Sequence, residues 1–333
     1  MNQFDLVIIG AGPTGLACAL EARRLGLDHI VIDKGTLVNT IVGYPVSMTF
    51  FSTPEKLELG MMPFTSPNFR PTRIEAIEYY RGVARKSGVN LSLNNAVLSV
   101  HPSGDGFLVE SQQGGYRARH VVQATGYFDT VNRLGVPGEE LPKVSHYYRE
   151  PYQHLDQDLL VIGGRNSAVE TALDLFRHGA RVSMIHRGDK LGAGVKSWVR
   201  PDIENRIASG EIEMLWNTSV VEITPSSVIV GNIITGERRE IPNDAVYAMI
   251  GYRPDVRLLE ACGVRYDPDT LIPEFNPATF ETNIPNFFIA GSVACGCKTW
   301  EIFIENGRAH AGIVMGVIAE RLGHGRPVAP AQV

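Results

Sequence analysis

The sequence predicts an α/β chain of two three-layer units, each a parallel sheet flanked by helices, and three observations lead there. Residues 6–35 (LVIIGAGPTGLACALEARRLGLDHIVIDKG) and 159–188 (LLVIGGRNSAVETALDLFRHGARVSMIHRG) align without gaps at an offset of 153. Each copy carries a Gly-rich turn between an apolar run and a helical stretch. The 333 residues, 44% hydrophobic and 20% charged, suit about two soluble globular domains at roughly 100–200 residues each.

The first copy opens on the apolar run Leu6 to Ile9, which suits a strand buried on both faces. Leu16, Ala19 and Leu20 then mark one face of a helix, matched by Val169, Ala172 and Leu173 in the second copy. Gly26 or Gly179 follows, where a helix stops. A second strand ends at Ile32 or Ile185, which makes β-α-β twice. Between strand and helix stands Gly10-Ala11-Gly12-Pro13-Thr14-Gly15, a full G-x-G-x-x-G. The first Gly makes the tight turn, the second lets backbone approach a pyrophosphate, and the third lets helix and strand pack closely. The helix N-terminus offers free N–H groups and a positive dipole end. Asp33, followed by Lys34, ends the second strand, where a carboxylate accepts bonds from ribose hydroxyls.

The second copy reads Gly163-Gly164-Arg165-Asn166-Ser167-Ala168. Ala at the third Gly position fits the fingerprint, whereas Arg165 departs from it. His186 replaces the acid and Arg187 follows it, which fits a ribose 2′-phosphate and so NADPH. Two Rossmann-like sites of opposite ribose chemistry suggest two cofactors: FAD at the acid-tipped turn and NADPH at the base-tipped one. Val121 to Gly126, ending Ala124-Thr125-Gly126, and Phe287 to Gly291, followed by Ser292, read as later strands of the FAD domain. Ala248 to Pro254, with Gly251, reads as the return crossing. The expected domains are therefore 1–128 and 254–333 for FAD, with 129–253 inserted for NADPH.

Composition narrows the partners. The net charge is −5 and the basic residues are scattered, which argues against nucleic acid. The apolar run at 6–9 is too short to span a bilayer, and the N-terminus does not read as a signal peptide. Four cysteines (Cys18, Cys262, Cys295, Cys297) are no disulfide framework, so a cytoplasmic location is expected. Gly is high, about 10% against a usual value of about 7%, as loops that approach a ligand closely require.

These motifs resemble the thioredoxin-reductase-type flavoproteins across essentially the whole chain. Thr49 to Leu59, Val144 to Glu150, the Gly163 turn and Ile302 to Arg308 more narrowly resemble the bacillithiol disulfide reductase branch. The resemblance implies a homodimer, a flavin contact at Ile302, and an NADPH-dependent FAD enzyme that reduces a low-molecular-weight disulfide. Two alternatives stand beside it: a thioredoxin-reductase-like ferredoxin or flavodoxin NADP reductase, and a flavin-bearing redox sensor or partner-binding module. The electron acceptor is thus a small disulfide or a small redox protein. Three departures bear on the choice. Val144 to Glu150 contains no Cys-x-x-Cys; Thr14 stands where the branch usually has Cys; Ala290-Gly291-Ser292 replaces the family's Ala-Gly-Asp.

Further candidates each carry a bland alternative. Cys295 and Cys297 precede a helix expected from Trp300; a thiol at that N-terminus would have a lowered pKa, but packing beneath the cofactor is the preferred reading. Cys18 and Cys262 read as structural. Tyr44, Phe50, Phe51 and Phe64 supply rings for the flavin or for the core, and Trp300 could cover the ring. His146 is weighed as a proton relay against a surface or linker histidine. Lys196 and Arg200 are weighed as additions to the 2′-phosphate pocket against a solvated basic loop. The Gly- and Pro-rich tail from Gly323 to Val333 reads as a mobile end.

Overall fold

The computed structural model describes residues 2–324, so the tail expected beyond Gly323 lies outside the described residues from position 325 on. The chain forms two compact units. One runs to Thr130 and resumes at Tyr252; the other is Val131–Gly251.

The first unit starts with β1 (Asn2–Ile9), α1 (Pro13–Arg24), β2 (His29–Ile32), α2 (Asn39–Gly43), α3 (Pro54–Leu57) and α4 (Arg73–Ser87). It continues through β3 (Leu91–Ser92), β4 (Val97–Ser103), β5 (Gly106–Ser111), β6 (Gly114–Gln123) and the two-residue β7 (Thr130–Val131), where the chain crosses. The second unit holds β8 (Val144–Ser145), β9 (Asp158–Ile162), α5 (Asn166–Arg177), β10 (Arg181–Ile185), α6 (Arg200–Ala208) and β11 (Glu213–Leu215). Strands β12 (Thr218–Ile223), β13 (Ser227–Asn232), β14 (Arg238–Pro242) and β15 (Ala245–Ala248) complete it. After β16 (Tyr252–Arg253) the first unit closes with α7 (Arg257–Cys262), β17 (Phe287–Ile289), α8 (Ile304–Gly307) and α9 (His310–Arg321).

The first unit's sheet has strand order β3-β2-β1-β6-β5-β4, with β17 also on β6. Strands β3, β2, β1, β6 and β17 pair parallel; β4, β5 and β6 pair antiparallel. Leu6 to Ile9 are all buried because layers cover both faces. Leu6 and Ile8 pack with α1, α4 and α9 through Leu16, Tyr80 and Met315, while Val7 and Ile9 pack with Phe107, Leu259 and Phe287 on the other face. The second unit has a five-stranded parallel sheet, β11-β10-β9-β15-β8, and a three-stranded antiparallel one, β12-β13-β14. Leu159 and Val161 pack against Val169 and Leu173 of α5; Leu160 and Ile185 face Val228 and Val230 of β13.

The repeat holds residue for residue. Helices α1 and α5 start and stop 153 positions apart, and the register Ile9↔Ile32 recurs as Ile162↔Ile185. Gly26 and Gly179 both follow their helices at positive φ, where a Cβ would cost most. The helix expected from Trp300 is a correction: it begins at Ile304. The Asn306 side chain accepts from Phe303 N–H and donates to Glu301 O, so the chain is diverted before the helix starts, and Trp300 is exposed. Among the described residues no helix is long and apolar enough to cross a membrane.

Helix α4 carries a testable local device. Thr72 Oγ1 accepts from Glu75 N–H, and Glu75 Oε2 accepts from Thr72 N–H at 2.7 Å, a reciprocal cap. Thr72→Ala should lower the first unit's stability by about 1 kcal/mol, and Thr72→Ser should restore most of it. Urea unfolding followed by circular dichroism measures both.

Candidate functional site

At the C-terminal ends of β1, β6 and β17 the first Gly-rich turn lies between strand and helix. Gly10 N–H donates back to Ile32 O at 2.8 Å, and its φ of +110° with Ala124 O only 2.5 Å from any added Cβ admits glycine alone. A Cβ on Gly15 would sit 1.9 Å from Gly10 O, so α1 is packed directly onto the turn. Gly12 differs: a Cβ there would meet nothing within 4 Å, and it caps α1 without any side-chain bond. The leading N–H groups of α1, with Pro13 in the first turn, therefore face open space, as a pyrophosphate requires.

Asp33 does more than end β2. Its Oδ2 accepts from Ala11 N–H at 2.7 Å and its Oδ1 from Gly35 N–H at 2.8 Å, so it clamps the turn. Burial pushes its carboxyl up, and the two amides pull the other way. Each oxygen keeps lone-pair capacity for a ribose hydroxyl. Lys34 is paired with Asp129 at 3.0 Å. Thr125 Oγ1 accepts from the Gln123 amide at 3.2 Å. Gly126 approaches Ser292: a Cβ on it would lie 3.5 Å from Ser292 Oγ. A Cβ on Gly291 would lie 2.8 Å from Thr14 Oγ1, and one on Gly307 3.3 Å from the same atom and 3.2 Å from Ile302 Cγ2. Gly10, Thr14, Ala124, Gly126, Gly291, Ser292 and Ile302 thus converge on one place. Sequence reasoning missed His310, whose Nδ1 accepts from Gly291 N–H at 3.1 Å; nothing in the spacing of nineteen residues signals it.

The cysteines overturn one expectation. Burial pushes the Cys295 and Cys297 thiols up, not down. The Cys295 thiol also donates to Ser292 O, and the helix that was to supply the field starts only at Ile304. Cys18, pushed up to about 12, and Cys262, pushed up to about 11, are buried as structural residues. Phe50 and Phe64 are core. Tyr44 meets Phe128 edge-on at 5.1 Å, whereas Phe51 is exposed beneath the Arg70 guanidinium.

In the second unit Gly163 N–H donates to Ile185 O at 3.0 Å, as Gly10 does in the first. The His186 imidazole lies 2.7 Å from where a Gly164 Cβ would be, so the ring walls the turn. Burial first, then Arg187 and Arg165, hold His186 below its ordinary pKa. Near neutral pH the positive charge therefore rests on the exposed Arg165 and Arg187. Asn166 donates to Gly194 O and accepts from Lys196 N–H, fixing the 192–196 loop over α5, beside the exposed Ser167 and the buried Ala168. Gly251, at φ +92°, ends β15's turn and accepts from Asn132 N–H at 3.0 Å. Lys196 and Arg200 are engaged elsewhere: Lys196 Nζ pairs with Glu170 at 2.6 Å, and Arg200 donates to Gly192 O and pairs with Glu204. His146 is neither surface nor linker. Its Nε2 lies 3.2 Å from Glu139 Oε1, and Glu139 accepts from the Leu134 and Gly135 N–H groups. Tyr148 donates to Asp174, so the segment without Cys-x-x-Cys is fixed as the edge of this sheet.

Residues 7–291 match the family model described as pyridine nucleotide-disulphide oxidoreductase. The chain is 42% identical over 327 residues to bacilliredoxin reductase Bdr of Bacillus subtilis, covering 97% of this chain and 100% of that one. It superposes on the bacillithiol disulfide reductases Bdr of Bacillus cereus (TM-score 0.93, 42% identity, 96% of this chain and 100% of that one) and Staphylococcus aureus (TM-score 0.93, 37% identity, 96% and 99%).

The open space at Gly12 yields a clean test. Gly12→Val should fold, since its side chain meets no neighbour, yet yield protein without flavin. A correctly folded variant that keeps a full complement of flavin, judged by absorbance and circular dichroism, would remove this turn from the cofactor site.

Proposed function

The chain belongs to the pyridine nucleotide-disulphide oxidoreductase family, and from that premise we propose that it is an NADPH-dependent FAD oxidoreductase. Its acceptor is a low-molecular-weight disulfide of the bacillithiol type or the small redox protein that carries such a disulfide. One observation carries this reading: two turns of the same backbone design end in opposite chemistry, Asp33 in the first unit and His186-Arg187 in the second. The first unit would hold FAD, with the α1 N-terminus on the pyrophosphate and Asp33 on the ribose. The second would hold NADPH, with Arg187 and Arg165 toward the 2′-phosphate. The relatives' printed names support the acceptor class.

Bound FAD supplies two-electron transfer between NADPH and a disulfide, so that NADPH, a proton and the disulfide become NADP⁺ and two thiols. The chain's own residues bind and orient. Thr14 holds the Gly291 turn against the first Gly-rich turn and cannot act as a thiolate. Cys295 is buried and bonded to Ser292 O. No thiol of this chain is therefore poised to relay electrons, and the acceptor supplies the reacting sulfurs. The same feature favours the second reading, a ferredoxin or flavodoxin NADP reductase. Against it stand the two segments of the bacillithiol branch, which this chain joins physically: Ser52 bonds Glu305, and Arg308 donates to Glu58 O.

A panel of acceptors with purified protein and NADPH decides between them. Sustained turnover with a small disulfide or its carrier protein is expected, and turnover with ferredoxin or flavodoxin alone overturns the acceptor assignment. Cys295→Ser and Cys297→Ser should each retain activity within about tenfold, near 1.4 kcal/mol of barrier; a larger loss in a flavin-loaded variant would make that sulfur catalytic. Arg187→Ala should raise the KM for NADPH and leave NADH little changed, because a charge-assisted contact to phosphate is lost. Equal effects on both coenzymes would place Arg187 outside the pocket.

A further inference from the structure

We propose that His310 is a positioning residue of the flavin site, holding the Gly291–Ser292 turn by accepting the Gly291 N–H at Nδ1, which it does only as the neutral Nε2–H tautomer. This rests on the reading that the turn contacts FAD. Strand β17 runs in register with β6 up to Ala290, whose N–H still bonds Gln123 O at 2.9 Å. The next donor, Gly291 N–H, leaves the sheet at φ +74° and goes to His310 at 3.1 Å. Gly291 is also where Thr14 of the first Gly-rich turn and Gly307 of α8 come closest. One imidazole thus fixes the place where three segments meet.

The direction of this bond settles the tautomer. A backbone N–H only donates, so Nδ1 must carry a lone pair and the ring proton must sit on Nε2. A protonated ring would set two donors face to face. Phe280 stacks on the ring at 4.0 Å and 25°, which fixes its plane. Burial holds the His310 pKa below its ordinary value. The charged groups of the surrounding elements are engaged elsewhere: Arg308 donates to Glu58 O, and Glu281, beside Phe280, is paired with Arg321. Asp33 is the other titratable group bearing on the Gly-rich turns, through Ala11.

The sign follows. Because only the neutral ring holds the turn for the cofactor, bound FAD draws the ring's pKa down further than burial alone does, so FAD affinity is full above the apoprotein's pKa, which lies below the ordinary value of about 6.5, and is lost as pH falls through it toward the FAD-bound value. His310→Asn keeps an acceptor near the Nδ1 position that does not titrate here; His310→Leu removes it. FAD affinity, measured by retained flavin absorbance from about pH 7.5 to pH 5, should fall severalfold more in the wild type than in His310→Asn. His310→Leu should bind FAD more weakly at every pH. Circular dichroism of each apoprotein confirms that the variants fold, and His310→Gln serves as a second acceptor-bearing variant. A wild type that holds FAD with the same pH curve as His310→Asn and His310→Gln overturns the role of His310 alone. A wild type that holds no FAD at pH 7.5 overturns the flavin reading, and this role with it.

Discussion

Everything in this molecule is arranged around the absence of side chains where a helix meets the end of a parallel strand. Gly15 brings α1 onto the Gly10 carbonyl, and Gly10 brings the turn onto Ala124 at the end of β6. Remove that approach and α1 lifts from the sheet, carrying its N–H groups away from the strand ends. The second unit solves the same problem with Gly163 against the Met249 carbonyl, and Ala168 suffices where the first copy has Gly15. Both turns are tied to the neighbouring strand by an equivalent bond, Gly10 N–H to Ile32 O and Gly163 N–H to Ile185 O. Shared backbone bonds, more than shared side chains, keep the two copies in step over 30 positions.

On that common frame the two sites diverge through what stands over the turn. In the first, a carboxylate accepts two backbone amides, so the clamp and the proposed ribose acceptor are the same group. In the second, an imidazole packs on Gly164 and burial holds its pKa below the ordinary value, which leaves the positive charge near neutral pH to the exposed guanidiniums of Arg165 and Arg187. The first arrangement is rigid and suits a resident cofactor. The second suits a coenzyme that must exchange, because exposed charge contacts are individually weak and readily broken.

What was legible in the sequence divides along physical lines. The β-α-β repeat, the helix stops at Gly26 and Gly179, and the buried strand runs are short-range patterns, and Leu6 to Ile9 with Leu159 to Ile162 announce them directly. The backbone clamp by Asp33, the His310 bond to Gly291 and the pairing of Lys196 with Glu170 link residues 19 to 26 positions apart, and no periodicity encodes them. The misplaced helix start has a smaller cause: the Asn306 side chain accepts from Phe303 N–H and caps the helix so that it begins at Ile304, a bond that nothing at Trp300 announces. The lowered thiol pKa weighed for Cys295 and Cys297 goes with that helix start, since the dipole invoked for it belongs to a helix that begins later in the chain, and the packing reading preferred for them stands with Cys295 buried and Cys297 half-buried.

Position 14 shows how the same fold can lose a nucleophile and keep its site. Thr14 Oγ1 is wedged between Gly291 and Gly307, two residues kept without side chains at that point. Its β-branch restricts χ1, which makes the side chain a spacer with little freedom to move. It sets the distance between the Gly-rich turn and the turn that His310 holds from the other side. In this chain the residue therefore serves geometry, and under the proposed function the sulfur chemistry is left to the acceptor. Such an enzyme has no internal disulfide to be trapped in an oxidised state, so its rate would follow encounter with the acceptor and the exposure of the flavin, not a thiol–disulfide exchange within the protein.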